Sequence, residues 1–225
     1  LSRLGARHWQ PIRDFATAVD VIANELIDPA ALAGTPVYEC LRAHEALLHR
    51  YHFLTYGGLL QAAVAALEDP VIGARVRAPL RHLLVDEYQD INPAQERLIA
   101  LLSHLSPDRP VQLAVVGDDD QSVYQWRGSD VSHLRDFAAR HPGAAAITLA
   151  QNRRSRPRIV ATANSFAARI PGRLPKQMTP VRDPGVAELQ AFSAETEEDE
   201  AAAIAALIQR LRAAGHRYRD LAVLY

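Results

Sequence analysis

The stretch LLVDEYQD, residues 83–90, decides the fold: three apolar residues lead into two adjacent carboxylates, Asp86 and Glu87. The apolar run predicts a strand, and ligands of open α/β sheets bind just beyond the carboxyl ends of strands. An aspartate there is suited to hold Mg²⁺, and a following glutamate to orient or deprotonate the water that attacks a nucleotide. A strand that simply ends in a polar turn is the alternative interpretation.

Short apolar runs alternate with amphipathic stretches after Pro79. This alternation is typical of a parallel sheet covered by helices, so the predicted fold class is α/β. Asn92, followed by a proline and then by Gln95, predicts the start of the first of these helices. Strands are predicted at 83–85, 113–116, 147–149, 186–192 and 221–225, and helices at 93–105, 131–139, 156–169 and 197–214.

The N-terminal part of the chain has a different pattern. From residue 14 to about residue 67, apolar residues recur at intervals of three and four, which predicts a small helical region. The whole chain has 225 residues, 48% of them hydrophobic and 23% charged, which excludes fibrous and wholly disordered classes. It has no apolar run near the ~20 residues that span a bilayer. The chain has a single cysteine, Cys40, so it cannot form an internal disulfide. We predict that Cys40 is a buried thiol and that the protein is cytoplasmic.

A second strand runs into a polar loop in LAVVGDDDQSVYQWRG, residues 113–128. Gln121 in this loop can hydrogen-bond a phosphate oxygen or an attacking water. Tyr124, Trp126 and Arg127 follow at close spacing, and aromatic and arginine side chains can stack on unpaired bases. The alternative is that both aromatic residues belong to the core.

A third segment, ITLAQNRRS at residues 147–155, brings Arg153 and Arg154 to the start of a helix. Arginine there is suited to bidentate phosphate binding and to neutralising charge in phosphoryl transfer. The segment opens a region, residues 151–182, that has eight positive residues and no acid, whereas residues 183–200 have seven acids and no base. A local positive patch can bind phosphate, but charge alone favours the interpretation that both runs are solvated helix faces.

In their order and spacing, VDEYQD, VVGDDDQSVYQWRGS and ITLAQNRRS resemble motifs II, III and IV of the UvrD/Rep/PcrA branch of superfamily 1 helicases. Residues 53–225 are similar to that family and the first fifty residues match loosely. The resemblance implies an ATP-dependent DNA helicase and translocase, usually moving 3′ to 5′ on single-stranded DNA. It also implies two RecA-like domains of the P-loop NTPase type. Residues 1–52 would be part of a helical insertion, 53–143 the second half of the first motor domain, and 144–225 the first half of the second.

The resemblance also assigns roles to residues in the first motor domain. Asp86 would hold Mg²⁺, Glu87 would activate water, and Gln121 would sense the γ-phosphate of ATP. The DNA-contacting residues would be Tyr124, Trp126 and Arg127, with Trp126 stacking on a base.

Two arginines would act from the second motor domain. Arg154 matches the arginine that reaches the γ-phosphate as an internal arginine finger. Arg153 stands where the family has a tyrosine that stacks on adenine, so a guanidinium plane would have to replace that ring.

The chain contains no G-x-x-x-x-G-K-[S/T] phosphate loop, and its single lysine, Lys176, lies in a proline-rich connection. We therefore expect a fragment that hydrolyses ATP poorly alone. The expected partners are single-stranded and partly duplex DNA and repair or replication proteins, without a membrane, in the cytoplasm at the bacterial nucleoid. Two alternatives stay open: a helicase-like DNA-binding scaffold without turnover, and the helicase part of a helicase-nuclease.

Overall fold

The structure is a computed structural model that describes residues 10–103, 111–123, 129–185 and 189–224. The chain divides into two compact units, of which the first contains residues 1–148 and 169–176 and the second residues 149–168 and 177–225. Both described units combine helices with a short parallel sheet, so the α/β class is confirmed.

The first unit begins with a helical region, in agreement with the apolar spacing. Its helices are α1 (Gln10–Asn24), α2 (Pro36–Tyr51), α3 (Tyr56–Glu68) and α4 (Pro70–Arg77). Thr35, Thr55 and Asp69 start α2, α3 and α4 by accepting hydrogen bonds from first-turn backbone N–H groups. At Gly57, α3 passes so close to α1 that a Cβ would stand 2.5 Å from the Cβ of Ala23. A side chain at residue 57 would therefore push the two helices apart.

The sheet of the first unit consists of the parallel strands β1 (His82–Val85) and β2 (Gln112–Val115), with α5 (Pro93–Ser103) between them in sequence. One face of this sheet packs against a core formed by Tyr88, Ile91 and Ile99. On the opposite face Leu84 is 77% exposed, so the described residues cover the sheet on one side only. The short helices α6 (Ser132–Arg135) and α7 (Phe137–Arg140) replace the single helix predicted at 131–139.

Asn92 starts α5 as the sequence predicts. The Gln95 N–H donates to Asn92 Oδ1, and the Asn92 N–H donates to Gln95 Oε1, each at 2.9 Å. This reciprocal pair is a capping box. Asn92 Nδ2 also donates to Asn24 Oδ1 at 3.0 Å, which connects the end of α1 to the start of α5.

The second unit contains β3 (Gln151–Asn152), α8 (Pro157–Ala167), β4 (Thr179–Pro180) and α9 (Glu197–Ala213). Strands β3 and β4 are parallel, and the Asn164 side chain on α8 bonds the backbone N–H and carbonyl of Met178 beside β4. Thr196 caps α9 by accepting from the Asp199 N–H at 3.1 Å. Both helices agree with their predicted ranges.

Several local predictions are wrong. Residues 147–149 and 221–224 are not strands, and Leu149 is 83% exposed, because the described residues provide no neighbouring strand for them. No strand lies at 189–192 either, and residues 186–188 are outside the described residues. Cys40 is exposed rather than buried, since it lies on the solvent side of α2. Within the described residues, none of the helices has the length and apolar character needed to span a bilayer.

Candidate functional site

Asp86 and Glu87 follow β1 directly, and both side chains are exposed at the carboxyl edge of the first sheet. The Glu87 N–H donates to Asp86 Oδ1 at 3.0 Å. Glu87 has a φ of 52°, in the left-handed region that costs a non-glycine residue roughly 1–2 kcal/mol. This conformation turns the chain sharply after β1, and strained residues of this kind cluster at functional sites.

The loops that follow β1 and β2 are joined through their backbones. The Val116 N–H donates to the Val85 carbonyl at 2.8 Å, and the Tyr88 N–H donates to the Val116 carbonyl at 2.9 Å. These bonds extend the pairing of the two strands past their ends. The two loops that the sequence singled out therefore lie side by side at one edge of the sheet.

Gln89 bridges the same two loops with its side chain. Gln89 Nε2 donates to Glu87 Oε2 at 2.7 Å, and Gln89 Oε1 accepts from the Asp118 N–H at 3.0 Å. The residue is 1% exposed, so water competes little for these bonds. Gly117 makes room for the bridge, because a Cβ on it would stand 2.8 Å from Gln89 Oε1 and 3.1 Å from Leu134 Cδ2.

Tyr88 anchors the first loop in the core. Its ring is fully buried and meets Phe137 edge-on at 5.6 Å between ring centroids. The Tyr88 hydroxyl donates to Glu96 Oε2 at 2.5 Å, and Glu96 also pairs with Arg140. Burial, assisted by the hydrogen bond to Glu96, raises the pKa of Tyr88 to about 12. The hydroxyl therefore remains protonated, and a donor, throughout the physiological range.

Gln121 ends a short 3-10 turn, Asp119–Gln121, in the second loop, and its side chain is exposed. Gln121 Nε2 donates to Asp118 Oδ2 at 2.7 Å, which orients the amide. Asp118 in turn starts the turn by accepting from the Asp120 N–H at 3.2 Å. The orientation of Gln121 therefore depends on the position of the Asp118 carboxylate.

Asp118, Asp119 and Asp120, here called the aspartate cluster, have ligand oxygens within 4.8 Å of one another. Their charges are balanced by three basic side chains, Arg135, Arg173 and Lys176. The guanidinium of Arg173 lowers the pKa of Asp120 below its ordinary value. A cluster neutralised in this way does not fit a metal ion, whereas Asp86 and Glu87 are exposed carboxylates with the hard oxygen ligands that Mg²⁺ takes.

In the second unit, Arg153 and Arg154 follow β3 and are exposed. Asn152 Oδ1 accepts from the Arg154 N–H at 3.1 Å and from the Ser155 N–H at 2.8 Å, which shapes the turn before α8. The Arg153 guanidinium donates to Gln151 Oε1 at 2.8 Å. Both arginines are thus presented at the carboxyl end of a strand, where phosphate-binding side chains of α/β sheets lie.

The proposed DNA-contacting residues Tyr124, Trp126 and Arg127 lie outside the described residues. The sequence interpretation did not single out Gln89 or the cations of the aspartate cluster. Gln89 is a buried polar residue within a polar segment and has no distinctive sequence signal. Lys176 does have a sequence signal, because it is the single lysine of the chain, but only the fold brings it to the second loop.

Two family models match consecutive parts of the chain. Residues 4–142 match the family model described as the UvrD/REP helicase N-terminal domain, and residues 147–225 match the UvrD-like helicase C-terminal domain.

Individual relatives match along almost the whole chain. It is 37% identical to the ATP-dependent DNA helicase UvrD1 of Mycobacterium tuberculosis, across 99% of this chain and 30% of that protein. It is 35% identical to the ATP-dependent DNA helicase PcrA of Leuconostoc citreum, across 95% of this chain and 27% of that protein. PcrA of Staphylococcus aureus is 30% identical, across 99% of this chain and 31% of that protein. The chain thus spans about 30% of the length of these relatives.

Proposed function

Because the chain belongs to the UvrD/REP helicase family, we propose that it forms the central part of an ATP-dependent DNA helicase. The intact protein would couple ATP hydrolysis to movement on single-stranded DNA, 3′ to 5′, in repair or replication at the nucleoid. Residues 1–52 would belong to a helical insertion, residues 53–143 to the first RecA-like motor domain, and residues 144–225 to the second. The observation that carries this proposal is the joining of the loop of Asp86 and Glu87 to the loop of Gln121 at one sheet edge.

Asp86 and Glu87 are the residues that we assign to the nucleotide and its magnesium ion. Bound Mg²⁺ supplies positive charge that neutralises the phosphate oxygens during phosphoryl transfer. Asp86 would hold the ion, and Glu87 would orient the attacking water and accept its proton. Gln89 already holds Glu87 Oε2 at 2.7 Å, so we assign the water to Glu87 Oε1.

Further roles fall to Gln121 in the first unit and to two arginines in the second unit. Gln121, next to the aspartate cluster, would hydrogen-bond the γ-phosphate, and Arg154 would neutralise charge on the same group as an arginine finger. Arg153 would stack its guanidinium plane on the adenine. Tyr124, Trp126 and Arg127 follow Gln121 in the sequence, and we assign them to single-stranded DNA.

The test is ATP hydrolysis by the full-length protein with and without single-stranded DNA, beside a Glu87→Gln variant. Loss of a general base lowers turnover by about 100-fold or more, and we expect this loss in the DNA-stimulated rate. Glu45→Gln is the matched control, because Glu45 pairs only with the neighbouring Arg42 on exposed α2 among the described residues. A parent that binds DNA but shows no turnover above the variant would overturn the helicase proposal and favour a DNA-binding scaffold.

A further inference from the structure

Residues 169–176, here called the return segment, belong to the first unit although the residues before and after them belong to the second. The segment ends at Lys176, whose ammonium contacts every member of the aspartate cluster. Lys176 Nζ lies 3.0 Å from Asp118 Oδ1 and 3.2 Å from Asp120 Oδ2, and it also bonds Asp119 Oδ1. An ammonium group has three donors, so it is suited to converging carboxylates in a way that the planar arginine fork is not.

The rest of the return segment is fixed to the same cluster. Arg173 binds Asp120 with two parallel bonds, Nε to Oδ1 at 2.8 Å and Nη2 to Oδ2 at 2.5 Å. Arg173 Nη1 also donates to the Lys176 carbonyl at 3.1 Å, and the Leu174 N–H donates to Asp119 Oδ2 at 2.7 Å. Backbone and side-chain contacts therefore hold Lys176 in one position.

These contacts are largely shielded from water. The Asp119 side chain is fully buried, and the side chains of Arg173 and Lys176 are 18% and 22% exposed. Charge pairs that are shielded from water are screened little by salt, and removal of one partner leaves a buried charge uncompensated. The three aspartates of the cluster therefore depend on Arg173 and Lys176 to hold their carboxylates close together.

The two oxygens of Asp118 connect Lys176 to Gln121. Asp118 Oδ1 lies 3.0 Å from Lys176 Nζ, and Asp118 Oδ2 accepts from Gln121 Nε2 at 2.7 Å. We propose that Lys176 is a positioning residue, which fixes the Gln121 amide through Asp118 for its contact with the nucleotide phosphate. This inference rests on the proposed function, and it links the return segment to the loop that contains Gln121.

The test is a kinetic comparison of Lys176→Met, Gln121→Ala and the double variant in the full-length protein, with kcat and KM for ATP measured on single-stranded DNA. We expect Lys176→Met to lower kcat about tenfold, since small misplacement of a reacting group costs up to ~100-fold, with KM for ATP changed less than about twofold. In the Gln121→Ala background the same substitution should change kcat by less than about twofold, because Lys176 acts through Gln121. Arg169→Met is the matched control: Arg169 lies in the same segment, is exposed, and bonds none of the three aspartates in the described structure.

Three results would overturn the inference: an unchanged kcat for Lys176→Met, an equal loss in the Gln121→Ala background, or an equal loss in Arg169→Met. Asp118→Asn serves if Lys176→Met does not fold, since it keeps the side-chain shape and removes the charge that Lys176 binds.

Glu87→Gln separates this inference from the proposed function. If turnover survives Glu87→Gln, the proposed function fails. If Glu87→Gln abolishes turnover while Lys176→Met and Asp118→Asn are silent, only the positioning role fails.

Discussion

Gly117→Ala tests whether the close approach of the two loops is a structural requirement. The added methyl group would stand 2.8 Å from Gln89 Oε1 and 3.3 Å from the Gln89 backbone nitrogen. Gln89 cannot simply rotate away, because its amide is bonded to both Glu87 and Asp118 and is buried. The variant should therefore break the bond from the Asp118 N–H to Gln89 Oε1.

The size of the effect follows from two contributions. Forcing one methyl group into a packed site costs about 1 kcal/mol at the lower end, and a lost neutral hydrogen bond costs about 1 kcal/mol. Together they lower the free energy of local opening by about 2 kcal/mol, which corresponds to roughly 30-fold faster amide exchange. The assay is hydrogen–deuterium exchange of the Asp118 amide in the full-length protein.

Val116→Ile is the control, because it adds a methylene to the same loop at a side chain that is 54% exposed. Exposed changes of this kind stay within about 0.5 kcal/mol. In a Gln89→Ala background the Asp118 amide has already lost its acceptor and the 2.8 Å contact is gone, although the contacts with Leu134 Cδ2 and the residue 89 backbone nitrogen remain. Gly117→Ala should therefore increase exchange clearly less in that background than in the parent protein. Unchanged exchange in Gly117→Ala, or the full 30-fold effect without the Gln89 side chain, would refute the reasoning.

Three further predictions concern residues that follow β1 in the sequence. The free energy of unfolding in denaturant should be about 1 kcal/mol higher for Glu87→Gly than for Glu87→Ala, because the backbone of residue 87 is left-handed. Both variants lose the same bond to Gln89, so the difference reports the backbone alone. Equal stabilities would contradict strain at this position. The pKa of Tyr88 lies at about 12, above that of an unfolded tyrosine, so its contribution to stability is complete below about pH 10 and is lost as the pH rises through 12. A Tyr88→Phe variant should lack this loss of stability at alkaline pH, measured as the free energy of unfolding against pH. The prediction fails if the variant and the parent protein show the same pH profile. Asn92→Ala should lower the free energy of unfolding by about 1 kcal/mol, measured by denaturant titration, because the helix cap is lost. Gln95→Ala should remove only the bond from the Asn92 N–H to Gln95 Oε1 and leave the cap by Asn92 in place.

The sequence predicted the elements that interactions between neighbouring residues determine. Helix starts at Asn92 and Thr196 follow local rules, since a side-chain oxygen satisfies free N–H groups of the first turn wherever the helix lies. Strands β1 and β2 were also found, because the apolar runs are bounded by clear polar turns. The residues Asp86, Glu87 and Gln121 could be proposed because each follows such a strand within a few positions.

What the sequence could not supply depends on contacts between distant residues. Runs such as 147–149 have strand character, but a strand also requires a neighbour in the sheet, and the described residues offer none. Lys176 lies 57 positions from Asp119, so no periodicity connects them. Gln89 looks like an ordinary polar loop residue until the fold buries it between two loops. Partner choice over such distances is a property of packing rather than of local pattern.

The contact between Gln89 and Gly117 also constrains how this protein can evolve. A side chain at residue 117 loses its shortest contact, 2.8 Å from Gln89 Oε1, only after residue 89 has become smaller, and a smaller residue 89 also removes the bridge to the Asp118 N–H. The two positions should therefore change together and in a fixed order, with the change at residue 89 first. Under selection for growth, a library randomised at both positions should return paired solutions, and single substitutions at residue 117 should be absent from the survivors.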